Sequence, residues 1–206
     1  MKDHGDGTYT INVKSTVAAI EESIGYRVNG EDGNGNALVT YTSGSPSGVT
    51  SEITANPDSI TADGQVQSIL TVQLYDEHGN KITTGKDANG DDYKIKVVYQ
   101  DEDNKVGDLS VTSNGQDGTF TATLTSEKSG KEVFGFTIDG TLATGAKATA
   151  EVTYTTGAPS AGHSKITANP ISILADDNDE STLTVQLYDA KGNIITSNID
   201  PETGNE

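Results

Sequence analysis

The 206-residue chain has no cysteine, no tryptophan, one methionine and three phenylalanines. Without cysteine there is no disulfide framework and no thiolate metal or redox site, although the compartment stays open. No apolar run approaches membrane-spanning length, and the opening MKDHGDG lacks the apolar core of a secretory signal. If the parent protein is exported, its signal is expected outside this chain. Basic residues are scarce: Lys and Arg number 13 against 31 Asp and Glu, a formal net charge of −18. Such a chain repels nucleic acid and anionic lipid over long range, so neither is expected as a partner, and its acidity favours solubility.

What the chain does have is repetition, the first thing to establish because it sets the architecture. SEITANPDSITADGQVQSILTVQLYDEHGNKI at 51–82 returns at 164–195 as SKITANPISILADDNDESTLTVQLYDAKGNII, an offset of 164 − 51 = 113 residues. VTYTSGSP at 39–46 matches VTYTTGAP at 152–159, also 113 apart, and DGTYT at 6–10 matches DGTFT at 117–121, 111 apart. IGYRVNG at 24–30 matches FGFTIDG at 134–140. The expected division is the end of one unit at 1–42, a linker at 43–50, a whole unit at 51–155, a linker at 156–163 and the start of another unit at 164–206. Linkers this short restrict how neighbouring units orient.

Within the units, apolar residues alternate with polar ones at the period of half-buried strands. Tyr9, Ile11 and Val13 form one such run, and Ile24, Tyr26 and Val28 a second. Ala37, Val39 and Tyr41 form a third, while 17–22 reads as a connecting loop and 30–36 as a hairpin turn. In the whole unit Asn56-Pro57 interrupts the first strand, since proline cannot donate to a ladder. Leu70, Val72 and Leu74 then point inward while Thr71, Gln73 and Tyr75 face out. Asp76 caps a turn in which Gly79 supplies positive φ. Strands follow at Ile95–Tyr99, Phe120–Leu124, Phe134–Ile138 and Ala148–Tyr154, with a short segment at 109–111. About seven strands with turns every eight to twelve residues predict an all-β immunoglobulin-like sandwich, in tandem repeats.

ITANPxSI, STLTVQLYDxxGN, DGTFTATLTS and the closing VTYT resemble the bacterial immunoglobulin-like domain, group 1, of the intimin and invasin family. In the whole unit the resemblance is carried by Ile53–Asn56, Leu70–Asn80, Asp117–Thr125 and Val152–Thr155. It implies a β-sandwich repeat on the passenger of an inverse autotransporter or related adhesin. Such a repeat serves as a non-enzymatic stalk holding an adhesive tip away from the outer membrane, to which parts outside this chain would anchor it. The family's lectin-like tip is marked by cysteines and tryptophans, and this chain has neither. The implied partners are neighbouring repeats; the alternative reading is a repeat that itself contacts a host protein or glycan through a sheet face.

No residue is assigned a catalytic, cofactor-binding or metal-binding role. His4, His78 and His163 fall in turns or linkers, and the repeat places Lys191 and Thr50 opposite the last two, so no triad or metal set converges. Asp87, Asn89, Asp91 and Asp92 resemble the start of an oxygen-rich calcium loop, but the sixth and twelfth positions are Asp92 and Val98 rather than Gly and Glu. Asp101, Glu102 and Asp103 form a second acidic cluster, and Asp176, Asp177, Asp179 and Glu180 a third. Weak calcium binding is the alternative to solvated acidic turns at these places. Tyr41 and Tyr154 are expected in the core with hydroxyls on backbone, and Tyr75 and Tyr188 on the outside. The terminal pieces are complementary parts of one unit, lacking only the equivalent of 94–111, which makes head-to-tail strand addition between molecules a further reading.

Overall fold

In the computed structural model, residues 1–87, 89–99, 108–109, 111–113 and 117–196 are described. The acidic cluster at Asp101, Glu102 and Asp103 lies outside them. Among the described residues every regular element is a strand. The first comprises β1 (Lys2–Asp3) and β2 (Tyr9–Thr10), which pair with each other. β3 (Ala19–Ile24), β4 (Arg27–Val28), β5 (Glu31–Asp32) and β6 (Ala37–Tyr41) follow, β3 pairing with β6 and β4 with β5.

The central stretch contains β7 (Glu52–Asn56), β8 (Ser59–Thr61), β9 (Ser68–Gln73), β10 (Ile95–Tyr99) and β11 (Asp108–Leu109). It continues with β12 (Thr112–Ser113), β13 (Thr119–Leu124), β14 (Gly130–Ile138), β15 (Thr141–Leu142) and β16 (Ala150–Thr155). One sheet runs β12-β13-β9-β7 and the other β11-β10-β14-β16-β8, with β15 on β14. Pro57 ends β7, and the chain crosses to the second sheet, where β8 pairs parallel with β16. The third stretch contributes β17 (Lys165–Asn169) and β18 (Thr182–Gln186), paired antiparallel.

Alternation sets the core between the two sheets. Leu70, Val72 and Leu74 from the first sheet meet Val97, Phe134, Phe136 and Val152 from the second, all with essentially no exposure. Each such side chain contributes roughly 1.5–3 kcal/mol by leaving water. Gly118 lets the backbone pass where a Cβ would lie 1.9 Å from the Ile82 carbonyl oxygen, and its φ of +68 also favours glycine.

Four local expectations are corrected. Gln73 does not face out: it is buried at the end of the sandwich, where Nε2 donates to the carbonyls of Leu74, Ile82 and Gly118. Residues 19–22 are not a loop but the start of β3, because they pair with β6 as Gly130–Glu132 pair with β16. A register shift between Ala19 and Glu22 absorbs one extra residue, which is why the offset to the central stretch changes from 111 to 110 there. The run at Tyr9–Val13 yields only the short β2, and the run at Ile24–Val28 is broken, Ile24 ending β3 and Val28 ending the short β4, with Tyr26 in neither. Finally, the Tyr154 hydroxyl meets the Glu132 carboxylate rather than backbone, and burial together with that carboxylate pushes its pKa up. The half-buried Tyr41 repeats this pairing with Glu22.

Candidate functional site: the polar turns at Asp76 and Asp189

The turn after β9 builds a polar joint. Gly79, at φ 81, closes the turn and donates to the Asp76 carbonyl at 3.0 Å. The Asp76 side chain, only 3% exposed, is thereby folded back under its own loop. Its Oδ1 accepts from the N–H groups of His78 (3.0 Å) and Asn80 (2.9 Å). Oδ2 accepts from Asn80 Nδ2 (2.9 Å) and from the N–H of Gly44 (2.9 Å), in the segment that leaves β6. Burial alone would raise this carboxyl, but the bonds from the Asn80 side chain and from the Gly44, Asn80 and His78 amides outweigh it and hold the pKa at about 2.

Asn80 reaches across to the preceding stretch. Its Oδ1 accepts from the Ala18 N–H and its Nδ2 donates to the Thr16 carbonyl, both at 2.9 Å. One planar amide thus satisfies a donor and an acceptor of the turn before β3. The connecting segment is fixed as well: the Ser47 N–H donates to the Tyr75 carbonyl at 2.8 Å, and the Thr50 hydroxyl donates to the Asp76 carbonyl at 2.7 Å.

The same joint occurs 113 residues on. Asp189, 2% exposed, accepts from the N–H groups of Lys191 (2.9 Å), Asn193 (2.8 Å) and Gly157 (3.1 Å) and from Asn193 Nδ2 (2.9 Å). Burial opposes ionisation here too, and the Asn193, Gly157 and Lys191 bonds lower the pKa against it. Asn193 Oδ1 accepts from the Ser129 N–H at 2.9 Å, and Nδ2 donates to the Glu127 carbonyl at 3.0 Å. Ser160 repeats Ser47 by donating to the Tyr188 carbonyl at 2.8 Å. The second joint adds an ion pair, Lys191 with Glu127, where the first has His78 and Thr16.

The residues singled out from sequence are scattered. His4 meets Thr10, His78 lies beside Glu77, and His163 bonds Ser160. The Asp87 carboxylate is taken by the backbone of Asn89 and Asp91, and Asp92 by Lys86. Asp176 is taken by the Asn178 and Asp179 amides. Among the described residues no three His, Asp or Glu side chains gather as a metal set. Tyr75, half-buried, donates to Glu52, and Lys165 lies over the Tyr188 ring. Asp76 and Asn80 were legible only as turn residues. The available signal was that both persist in the repeat, as Asp189 and Asn193, although Glu77 and His78 become Ala190 and Lys191.

Two facing sheets, a first strand that switches between them and a core of alternating apolar residues define an immunoglobulin-like β-sandwich protein. The chain belongs to the family described as "Invasin, domain 3", whose model matches residues 47–157, and is of the intimin/invasin type of bacterial immunoglobulin-like domain. It is similar to the crystal structure of invasin, described as a bacterial integrin-binding protein: 26% identity, TM-score 0.56, covering 83% of this chain and 32% of that one. It shares its fold with InvD of Yersinia pseudotuberculosis, at 22% identity and TM-score 0.53, covering 87% of this chain and 52% of that one. The chain therefore spans between about a third and about a half of these relatives.

Proposed function

We propose that this chain is a non-enzymatic stalk segment of a bacterial surface adhesin of the inverse autotransporter type, exposed outside the cell and holding a distal adhesive part away from it. In this reading 1–42, 51–155 and 164–206 belong to three successive immunoglobulin-like units, joined through 43–50 and 156–163. The observation that carries it is the recurrence of one joint, Asp76 with Asn80 and Asp189 with Asn193, making the same backbone contacts each time. A spacer needs such a joint, because length is gained only if successive units hold a fixed orientation. The net charge of −18 adds self-repulsion between neighbouring stalks.

Small-angle scattering of the whole chain tests this. The wild type is expected to give one extended maximum dimension, and the double variant Asn80→Ala, Asn193→Ala a broader distribution of distances. Identical profiles would refute a role for the joints in spacing. Saturable binding of the chain to host cells, surviving both substitutions, would replace the stalk reading with direct recognition through a sheet face.

A further inference from the structure

In a stalk, load runs lengthwise, entering 51–155 at Ser51 and leaving it at Thr155. The strands that meet it are the split first strand, β7 and β8, and the last, β16. β7 lies at the edge of its sheet, with a ladder only to β9. β8 and β16 are bonded to each other, and among the described residues theirs is the one parallel pairing. Thr153 lies beside Ser59, Tyr154 beside Ile60 and Thr155 beside Thr61. The pull on β8 arrives through Ser59 and the pull on β16 through Thr155, at opposite ends of the pair. The two strands are therefore drawn past each other. Bonds in a parallel pair are evenly spaced along the strands, so they share this load and must break together, whereas a pair pulled apart from one end opens one bond at a time.

We propose that β8 and β16 form a force-bearing clamp that keeps the sandwich closed under tension, an inference that rests on the stalk reading. Bonds bracket β8 at both ends. The Thr153 N–H donates to the Asp58 carbonyl (2.9 Å) just before it, and the Ala62 N–H donates to the Thr155 carbonyl (2.8 Å) just after it. Between them the Thr155 hydroxyl donates to the Ile60 carbonyl at 3.3 Å. Ile60, Ala62, Val152 and Tyr154 are buried, which keeps water from replacing these bonds as they stretch.

The turn after β8 adds a second restraint. For β8 to slide towards Ser59 it must drag this turn along, and the turn is anchored. Asp63 Oδ1 closes it by accepting from the N–H groups of Gln65 (2.7 Å) and Val66 (2.9 Å). The Gly64 N–H then donates to the Ser126 carbonyl at 2.9 Å. The approach is close: a Cβ at position 64 would come within 2.8 Å of the Glu127 side chain. The neighbouring Glu127 carbonyl accepts from Asn193 Nδ2, so the joint to the following stretch braces the segment that holds the turn. Clamp, turn and joint thus meet at the end of the sandwich where load leaves it.

Single-molecule pulling on the full chain tests the clamp. Since the chain has no native cysteine, introduced pairs choose the tether points, here at the exposed Asp58, Gln65 and Ala158. Asp58→Cys with Ala158→Cys loads β8 and β16 from opposite ends, and Gln65→Cys with Ala158→Cys loads them from the same end. At one pulling rate the first geometry is expected to unfold the sandwich at a force several times higher. Two core deletions give a second readout. Ile60→Ala in the clamp and Leu124→Ala in the facing sheet both remove buried methyl groups and should both lower the melting temperature. At constant force, only Ile60→Ala should speed unfolding, by roughly tenfold. Equal forces in the two geometries, or equal speeding by the two variants, overturns the clamp. Neither result depends on the scattering profiles, which test the stalk reading separately.

Discussion

Replacing Asn193 by Ala removes the two bonds that cross the second joint, to the Ser129 N–H and the Glu127 carbonyl, and leaves the apolar core untouched. Each such bond contributes roughly 0.5–1.5 kcal/mol net, so the closed joint should lose about 1–3 kcal/mol, an increase in opening of roughly 5–150-fold. Amide hydrogen exchange reads this at one atom: the Ser129 N–H should lose protection by that factor while amides of β9 and β13 keep theirs. Asn80→Ala should do the same to Ala18 and leave Ser129 alone. Asn193→Asp is a sharper test. It keeps an acceptor for Ser129 but sets a second carboxylate where Nδ2 now lies 2.9 Å from Asp189 Oδ2, so at neutral pH it should open the joint more than Ala does. Unchanged Ser129 exchange in Asn193→Ala, or an Asp variant milder than the Ala variant, would refute the assignment of the joint to this amide.

Acid should open the first joint through Asp76, whose folded pKa of about 2 lies below the ordinary 3.8. Its stabilisation, about 2 kcal/mol, is fully present above about pH 4 and is lost as pH falls towards 2. A titration of the Ala18 amide signal checks this, and Asp76→Asn should remove the transition. Gly118→Ala should cost several kcal/mol by thermal melting, because its Cβ would strike the Ile82 carbonyl. Gly7→Ala, at a matching positive φ with open space around it, should leave the melting of the central sandwich unchanged. Lys191→Ala should weaken the second joint by about 1 kcal/mol or less, an effect that vanishes at high salt and has no parallel at the first joint; scattering-derived dimensions of single-joint variants report it.

The sandwich was legible because its information is local and periodic. Alternating residues such as Leu70, Val72 and Leu74 reveal a buried face, and Pro57 marks the break that lets the first strand switch sheets. Gln73 escaped because its partners, the Ile82 and Gly118 carbonyls, come from distant loops, and alternation alone turns any polar residue at that position outward. β3 escaped because 17–22 carries no alternation: the bulge between Ala19 and Glu22 shifts the phase of the pattern in mid-strand. The joint was hidden for a different reason. Asp76, Gly79 and Asn80 satisfy every requirement of an ordinary turn, so local chemistry gave no hint of the contacts Asn80 makes more than sixty residues away.

In the proposed stalk, that double use lets one short motif serve both a fold and an array. The turn's own needs are met by Asp76 Oδ1, which takes the His78 and Asn80 amides, and by the φ that Gly79 supplies. Once the turn is closed, three polar groups remain at its rim: Asp76 Oδ2 and the two ends of the Asn80 amide. These three bind Gly44, Ala18 and Thr16 of the preceding stretch. The Nδ2 bond to Asp76 Oδ2 locks the amide in the orientation that matches donor to acceptor across the joint. A sandwich could therefore lose Asn80 and keep its stability, since no core contact depends on it. A joint could not, because water would replace the bonds without fixing an angle. The persistence of both residues at Asp189 and Asn193, while the turn between them changes from Glu-His to Ala-Lys, follows from that separation.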